Sequence, residues 1–97
     1  MQFNAYTAAA QAALLDAQTF HPTFTEIDIA DAWNLALIDI NASPSEQTAI
    51  HHDQEGTLAE FADLIAKTKP SKSPATKLIE VMAQAMTTTL EIAQNQK

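Results

Sequence analysis

A single glycine, Gly56, in 97 residues leaves this chain almost no position that adopts positive φ without cost. Tight β-turns and bulges lean on such positions, so a β-sandwich or barrel is disfavoured from the outset. Nineteen alanines push the same way, because alanine has the highest helix propensity while burying little surface. The expectation is an all-α fold: one small antiparallel bundle of four or five helices, with a thin and closely spaced core, spanning residues 1–97 as a single domain.

Cap signals and apolar periodicity divide the chain. Asn4 is read as the cap of a first helix running to about Gln18, with Phe3, Tyr6, Ala10, Ala13, Leu14 and Ala17 as its buried stripe. Pro22 ends it. Thr25 with Asp28 forms a capping box, with Phe24 and Ile29 placed as a hydrophobic staple, and opens a second helix to about Asn41. Ile29, Trp33, Ala36, Leu37 and Ile40 make its core face, widened by Ile27 and Ile38. Ser43, Pro44 and Glu46 restart the helix. Because Ile50 and Leu58 stay on one face, a continuous or slightly kinked helix through Gly56 is preferred over two, although Thr57 with Glu60 offers a second cap. The stretch 67–72 reads as a loop. Ser73 and Pro74 begin a last helix with Leu78, Ile79, Met82, Ala85, Met86, Leu90 and Ala93 on its core face, and its run Thr87, Thr88, Thr89, suited to back-bonding onto carbonyls, is read as the mark of a bend.

Much chemistry is excluded by residue type. Without cysteine there is no disulfide, zinc-thiolate site or thiol nucleophile. The chain has no Gly-rich phosphate loop, no G-x-S-x-G elbow and no H-E-x-x-H, so no enzymatic activity is expected. His51 and His52 beside Asp53 and Glu55 are the nearest approach to a metal constellation, but a two-ligand surface pair binds weakly, and no metal or other cofactor is expected. The first eighteen residues carry no lysine ahead of their apolar part and are interrupted by Asn4, Thr7, Gln11 and Asp16. That is unlike a signal peptide or membrane span, and the expected location is cytoplasmic, away from membranes.

Charge is the feature that bears on function. Residues 1–66 hold ten acids and no base, whereas Lys67, Lys69, Lys72, Lys77 and Lys97 face only Glu80 and Glu91 in the remainder. Such a body repels nucleic acid, so direct DNA or RNA binding is not expected. On the second helix Asp28, Asp31 and Asp39 surround Leu35, on the face taken to lie opposite the core. An apolar side chain amid carboxylates fits a contact surface for a basic protein partner, the leucine anchoring and the acids steering. Nucleic-acid mimicry needs more: Asp28 to Asp39 spans about 16 Å of helix, over which duplex DNA presents roughly ten phosphates. Glu46, Asp53, Glu55, Glu60 and Asp63 would have to join the same surface.

In size, acidity and alanine-rich composition the chain resembles the small accessory proteins of phages and mobile elements, anti-CRISPR inhibitors of host defence among them. The likeness is one of composition, carries over no residue role, and implies an inhibitor acting on a nucleic-acid-binding protein. The alternative expectation is a structural or assembly bundle that self-associates as a homo-oligomer, because a chain this short buries a limited share of its surface alone.

Overall fold

A computed structural model describes residues 7–95, which fold into α1 (Ala8–Phe20), α2 (Glu26–Asp39), α3 (Pro44–His52), α4 (Gln54–Ala66) and α5 (Pro74–Asn95), with no strand among the described residues. The all-α bundle expected from glycine scarcity and capping is the fold observed.

Thr7 caps α1, its hydroxyl accepting from the Ala10 amide at 3.1 Å. This moves the helix start from the expected Asn4, which with Phe3 and Tyr6 lies outside the described residues. Ala10, Ala13 and Ala17 are buried along one side of α1, and this all-alanine stripe lets the helix sit close against α4. The helix persists past Gln18 to Phe20, and the His21 amide still donates to the Ala17 carbonyl before Pro22 stops the ladder. The turn into α2 is held by the Gln18 side-chain amide donating to the Phe24 carbonyl at 3.2 Å. Phe24 also stacks at 6.5 Å on Phe20 and meets the His21 ring edge-on at 5.1 Å.

The Thr25–Asp28 box forms, and Ile29, Ala32, Trp33 and Ala36 are the buried residues of α2. Ile27 and Ile38 do not widen this face: they are 71% and 74% exposed. Eleven residues is close to three whole turns, so the two isoleucines share a face of their own, well round the helix from Ile29 and Ala36. The helix ends where expected, with Asn41 in the left-handed region at φ 52 and the Ala42 amide bonded back to the Leu37 carbonyl.

The continuous helix expected from 44 to 65 is two helices, and the break falls at Asp53 (φ −113, ψ 46), not at Gly56. Gly56 permits the break at a distance. The Asp53 carboxylate folds over it, so that a Cβ on residue 56 would meet Asp53 Oδ1 at 2.5 Å. Thr57 is consequently not a cap; it is buried within α4, its hydroxyl directed at the Asp53 carbonyl (3.0 Å) and at Thr89 of α5. In α5 the three threonines back-bond to Ala83, Gln84 and Ala85, and the helix runs through the position of the expected bend as one uninterrupted element of 22 residues, with Ile79, Leu90 and Ala93 only half-buried at the edge of its core face.

Successive long helices reverse direction, but among the chief packed pairs only α4 and α5 are neighbours in sequence. The chief contacts run α1 with α4, α4 with α5, and α5 with α2, while α3 rests on α5 and α4 through Ile50. The Thr57 to Thr89 contact brings the start of α4 to the far part of α5, so these two are antiparallel. The end of α1 (Asp16, Phe20) adjoins the end of α4 (Ile65, Ala66), making that pair parallel. In the same way α2 runs parallel to α5, since Phe24 and Asp28 lie by Ala75 and Leu78 while Asp39 lies by Ala83 and Thr87. The core fills the middle with Ile29, Trp33, Leu58, Phe61, Met82 and Met86, each at most 3% exposed. The edge helices α1 and α2 keep their outer faces open.

Candidate functional site

Asp28, Asp31, Leu35 and Asp39 recur at three- and four-residue steps, which aligns them along α2. They do not point directly away from the core as expected. Asp28, Asp31 and Leu35 line a shallow apolar groove on the seam with α5, facing Ala75, Leu78 and Ile79. Asp39 lines the next depression along the same seam, facing Glu80, Ala83 and Thr87. The displacement follows from the narrowness of the buried face: with Ile27 and Ile38 outside it, the acids fall on the flank between core and solvent.

The four residues are unequal. Leu35 is 47% exposed, an apolar surface the fold leaves unsheltered. Asp28 is committed locally, its Oδ2 accepting from the Thr25 amide at 2.8 Å and the Thr25 hydroxyl at 3.2 Å. Asp31 and Asp39 make no hydrogen bond or ion pair with any described residue. Their charges are therefore available to something outside the chain.

Other acids are spoken for or lie elsewhere. Glu46 accepts from the Ser43 amide at 2.9 Å, and this bond, with help from the Ser43 hydroxyl, holds its carboxyl below the usual glutamate range. Asp63 pairs with Lys67 at 3.0 Å, which raises the lysine above its ordinary value, first by the hydrogen bond and then by the charge. Lys77 reaches Glu80 at 3.5 Å. α5 stands between α2 and α4, so Glu55, Glu60 and Asp63 do not continue the acidic seam. His51 and His52 are exposed on the last turn of α3, and among the described residues no three His, Asp or Glu side chains converge as metal ligands. No helix of the described residues is long and apolar enough to cross a membrane.

Two residues assigned to the core, Ile27 and Ile38, emerge as the most exposed large apolar side chains among the described residues. A helical wheel carried a usable signal: at ~100° per residue they nearly coincide and stand far from Ile29 and Ala36. Comparison of the chain with protein-family models, with curated proteins and with solved structures found no match.

Proposed function

We propose that this protein is a non-catalytic binding module that engages a basic partner protein through the α2 seam, with Leu35 as anchor and Asp31 and Asp39, helped by Asp28, as the steering charges. The observation that supports it is the half-exposed Leu35 lying between two carboxylates with no partner among the described residues. A solvated leucine costs little alone, but its burial on binding contributes up to about 1.5–3 kcal/mol, and flanking acids select against acidic or neutral competitors. The matching ligand is an amphipathic segment with an apolar residue between lysines or arginines, chemistry typical of nucleic-acid-binding proteins. Occupying such a segment blocks it from nucleic acid, in keeping with an inhibitor of the kind found on phages and mobile elements. The separation of α2 from the acids of α4 favours this over mimicry of a whole duplex.

The test is a titration of the labelled protein with a synthetic basic amphipathic helix, followed by amide shifts. Perturbations centred on Asp31, Leu35 and Asp39, weakening steeply with salt and absent in an Asp31→Lys, Asp39→Lys variant, are the expected result. Shifts scattered over the surface, or affinity indifferent to salt, reject the reading. Asp28 is left intact because its carboxylate also holds the start of α2.

A further inference from the structure

The outer face of α2 carries a second pattern, which meets the seam at Asp31. Ile27, Asp31, Asn34 and Ile38 follow one another at steps of four, three and four, the spacing of a coiled-coil seam. Both isoleucines are more than two-thirds exposed, and the chief packing partner of α2 among the described helices, α5, lies on another side. The spacing reads the same in both directions. Laid antiparallel on a copy of itself about a two-fold axis, the helix therefore places Ile27 against Ile38 of the other copy at both ends and Asp31 against Asn34 in the middle.

Orientation follows from charge. In a parallel pairing Asp31 would meet Asp31 of the other copy, two like charges in one layer; in the antiparallel one each Asp31 meets the uncharged Asn34 and the two carboxylates stand apart. A polar layer between two apolar layers fixes register in this way. The surroundings are shaped for the same arrangement. Ile27 borders a depression lined by Leu14 and Gln18 of α1, and Ile38 borders one lined by Leu37, Asn41 and Gln47. Each isoleucine of one copy is thus offered a hollow beside the opposing isoleucine of the other. α2 is only about 21 Å long, so one helix pair with its flanking hollows falls at the lower end of interface sizes, below about 1,200 Å². The association that area supports is a weak, concentration-dependent dimer.

We infer that the Ile27–Ile38 face of α2 is an antiparallel self-association surface, adjoining the Leu35 flank and sharing Asp31 with it. The two surfaces respond oppositely to salt. Salt screens the acidic bodies of two copies and strengthens the dimer, whereas it weakens attraction to a basic partner.

The experiment uses sedimentation equilibrium and disulfide capture. Average mass should climb from 10.5 kDa toward twice that value with concentration, more steeply at high salt. Ile27→Asp and Ile38→Asp should each weaken dimerisation by about tenfold or more with the helical signal unchanged, since both sites are exposed. The chain has no cysteine, so single variants report register cleanly. A mixture of Ile27→Cys and Ile38→Cys copies should form the mixed disulfide in preference to either homodisulfide. A mass that stays monomeric up to millimolar concentration overturns the inference, as does preferential homodisulfide formation. So does an Ile27→Asp variant that dimerises normally yet loses the basic peptide, for that would assign the face to the other partner. Loss of peptide binding in Asp39→Lys with the dimer intact supports the inference, because Asp39 lies on the seam but not among the four residues of the dimer face.

Discussion

The hydroxyls of Thr57 in α4 and Thr89 in α5 lie 2.6 Å apart in the buried interior, bridging residues 32 apart in sequence. Each also sits within reach of its own carbonyl four residues back, Asp53 at 3.0 Å and Ala85 at 3.2 Å. Two hydroxyls own two protons, so one lies between the oxygens and the other is left for a carbonyl. Both donors of the pair are thereby used at the level where α3 breaks from α4. Thr57→Val and Thr89→Val each preserve shape and remove a hydroxyl, and each should cost about 0.5–1.5 kcal/mol in urea unfolding. The double variant should cost less than the sum of the singles, because the second change removes a group that the first has already orphaned. Strict additivity would show that the two hydroxyls do not interact in solution.

Gly56→Ala should stabilise the protein. The glycine lies inside α4 without positive φ, so it needs no conformational freedom of its own. The atoms a new Cβ would crowd belong to the Asp53 side chain, which is exposed and can rotate away. Against that small rearrangement stands a helix-propensity gain of about 0.5–1 kcal/mol. A lower midpoint in thermal or urea unfolding would mean that the Asp53 carboxylate in its present place is itself needed for the α3–α4 junction.

The fold was readable where local signals and burial agree, as the second helix illustrates. Its Thr25 cap, Asp28 box and buried Trp33 all follow from residue order. The same helix shows where reading failed. Isoleucine looks like core wherever it stands unless its place on the helical wheel is weighed, and the packing of α2 chiefly against α5 leaves Ile27 and Ile38 in water. The break at Asp53 was hidden for a different reason. Glycine announces a weak point, yet the backbone turns three residues earlier, where a carboxylate uses the space that glycine leaves. Of the candidate site, the alignment of Asp31, Leu35 and Asp39 was legible from spacing. That they border α5 was not, because which helices pack together is decided by long-range contacts.

The start of α3 should be acid-labile. Glu46 accepts the Ser43 amide, and its carboxyl is held below the ordinary value of 4.5. A group whose folded pKa is depressed contributes stability that is fully present above the unfolded value and is lost as pH falls through the folded one. The contribution should thus be intact at neutral pH, begin to fade below about 4.5 and vanish at more acid pH. Glu46→Gln, which keeps an acceptor but does not titrate, should flatten this part of the stability profile, and side-chain carboxyl shifts by NMR should place the Glu46 midpoint below those of exposed glutamates. An ordinary midpoint for Glu46 would mean the cap is open in solution.

The seam residues of α2 should divide the kinetics of partner binding between them. Asp31 and Asp39 act before contact: their field extends about a Debye length, ~8 Å at physiological ionic strength, and raises the rate of productive encounter. Leu35 acts after contact, since its apolar surface gains only when water is excluded. Binding of a basic amphipathic helix measured by stopped flow should therefore show Asp31→Lys with Asp39→Lys lowering the association rate by about tenfold or more, with a smaller change in dissociation. Leu35→Ala should leave association nearly unchanged and raise dissociation about tenfold, the equivalent of ~1.4 kcal/mol. Stability should hardly respond to either set, because Leu35 is half-exposed and the two aspartates bond to no described residue. Were Leu35→Ala to change only the association rate, or the double lysine variant only the dissociation rate, the division between anchor and steering charges would be wrong, and the seam would have to bind by some other arrangement of the same residues.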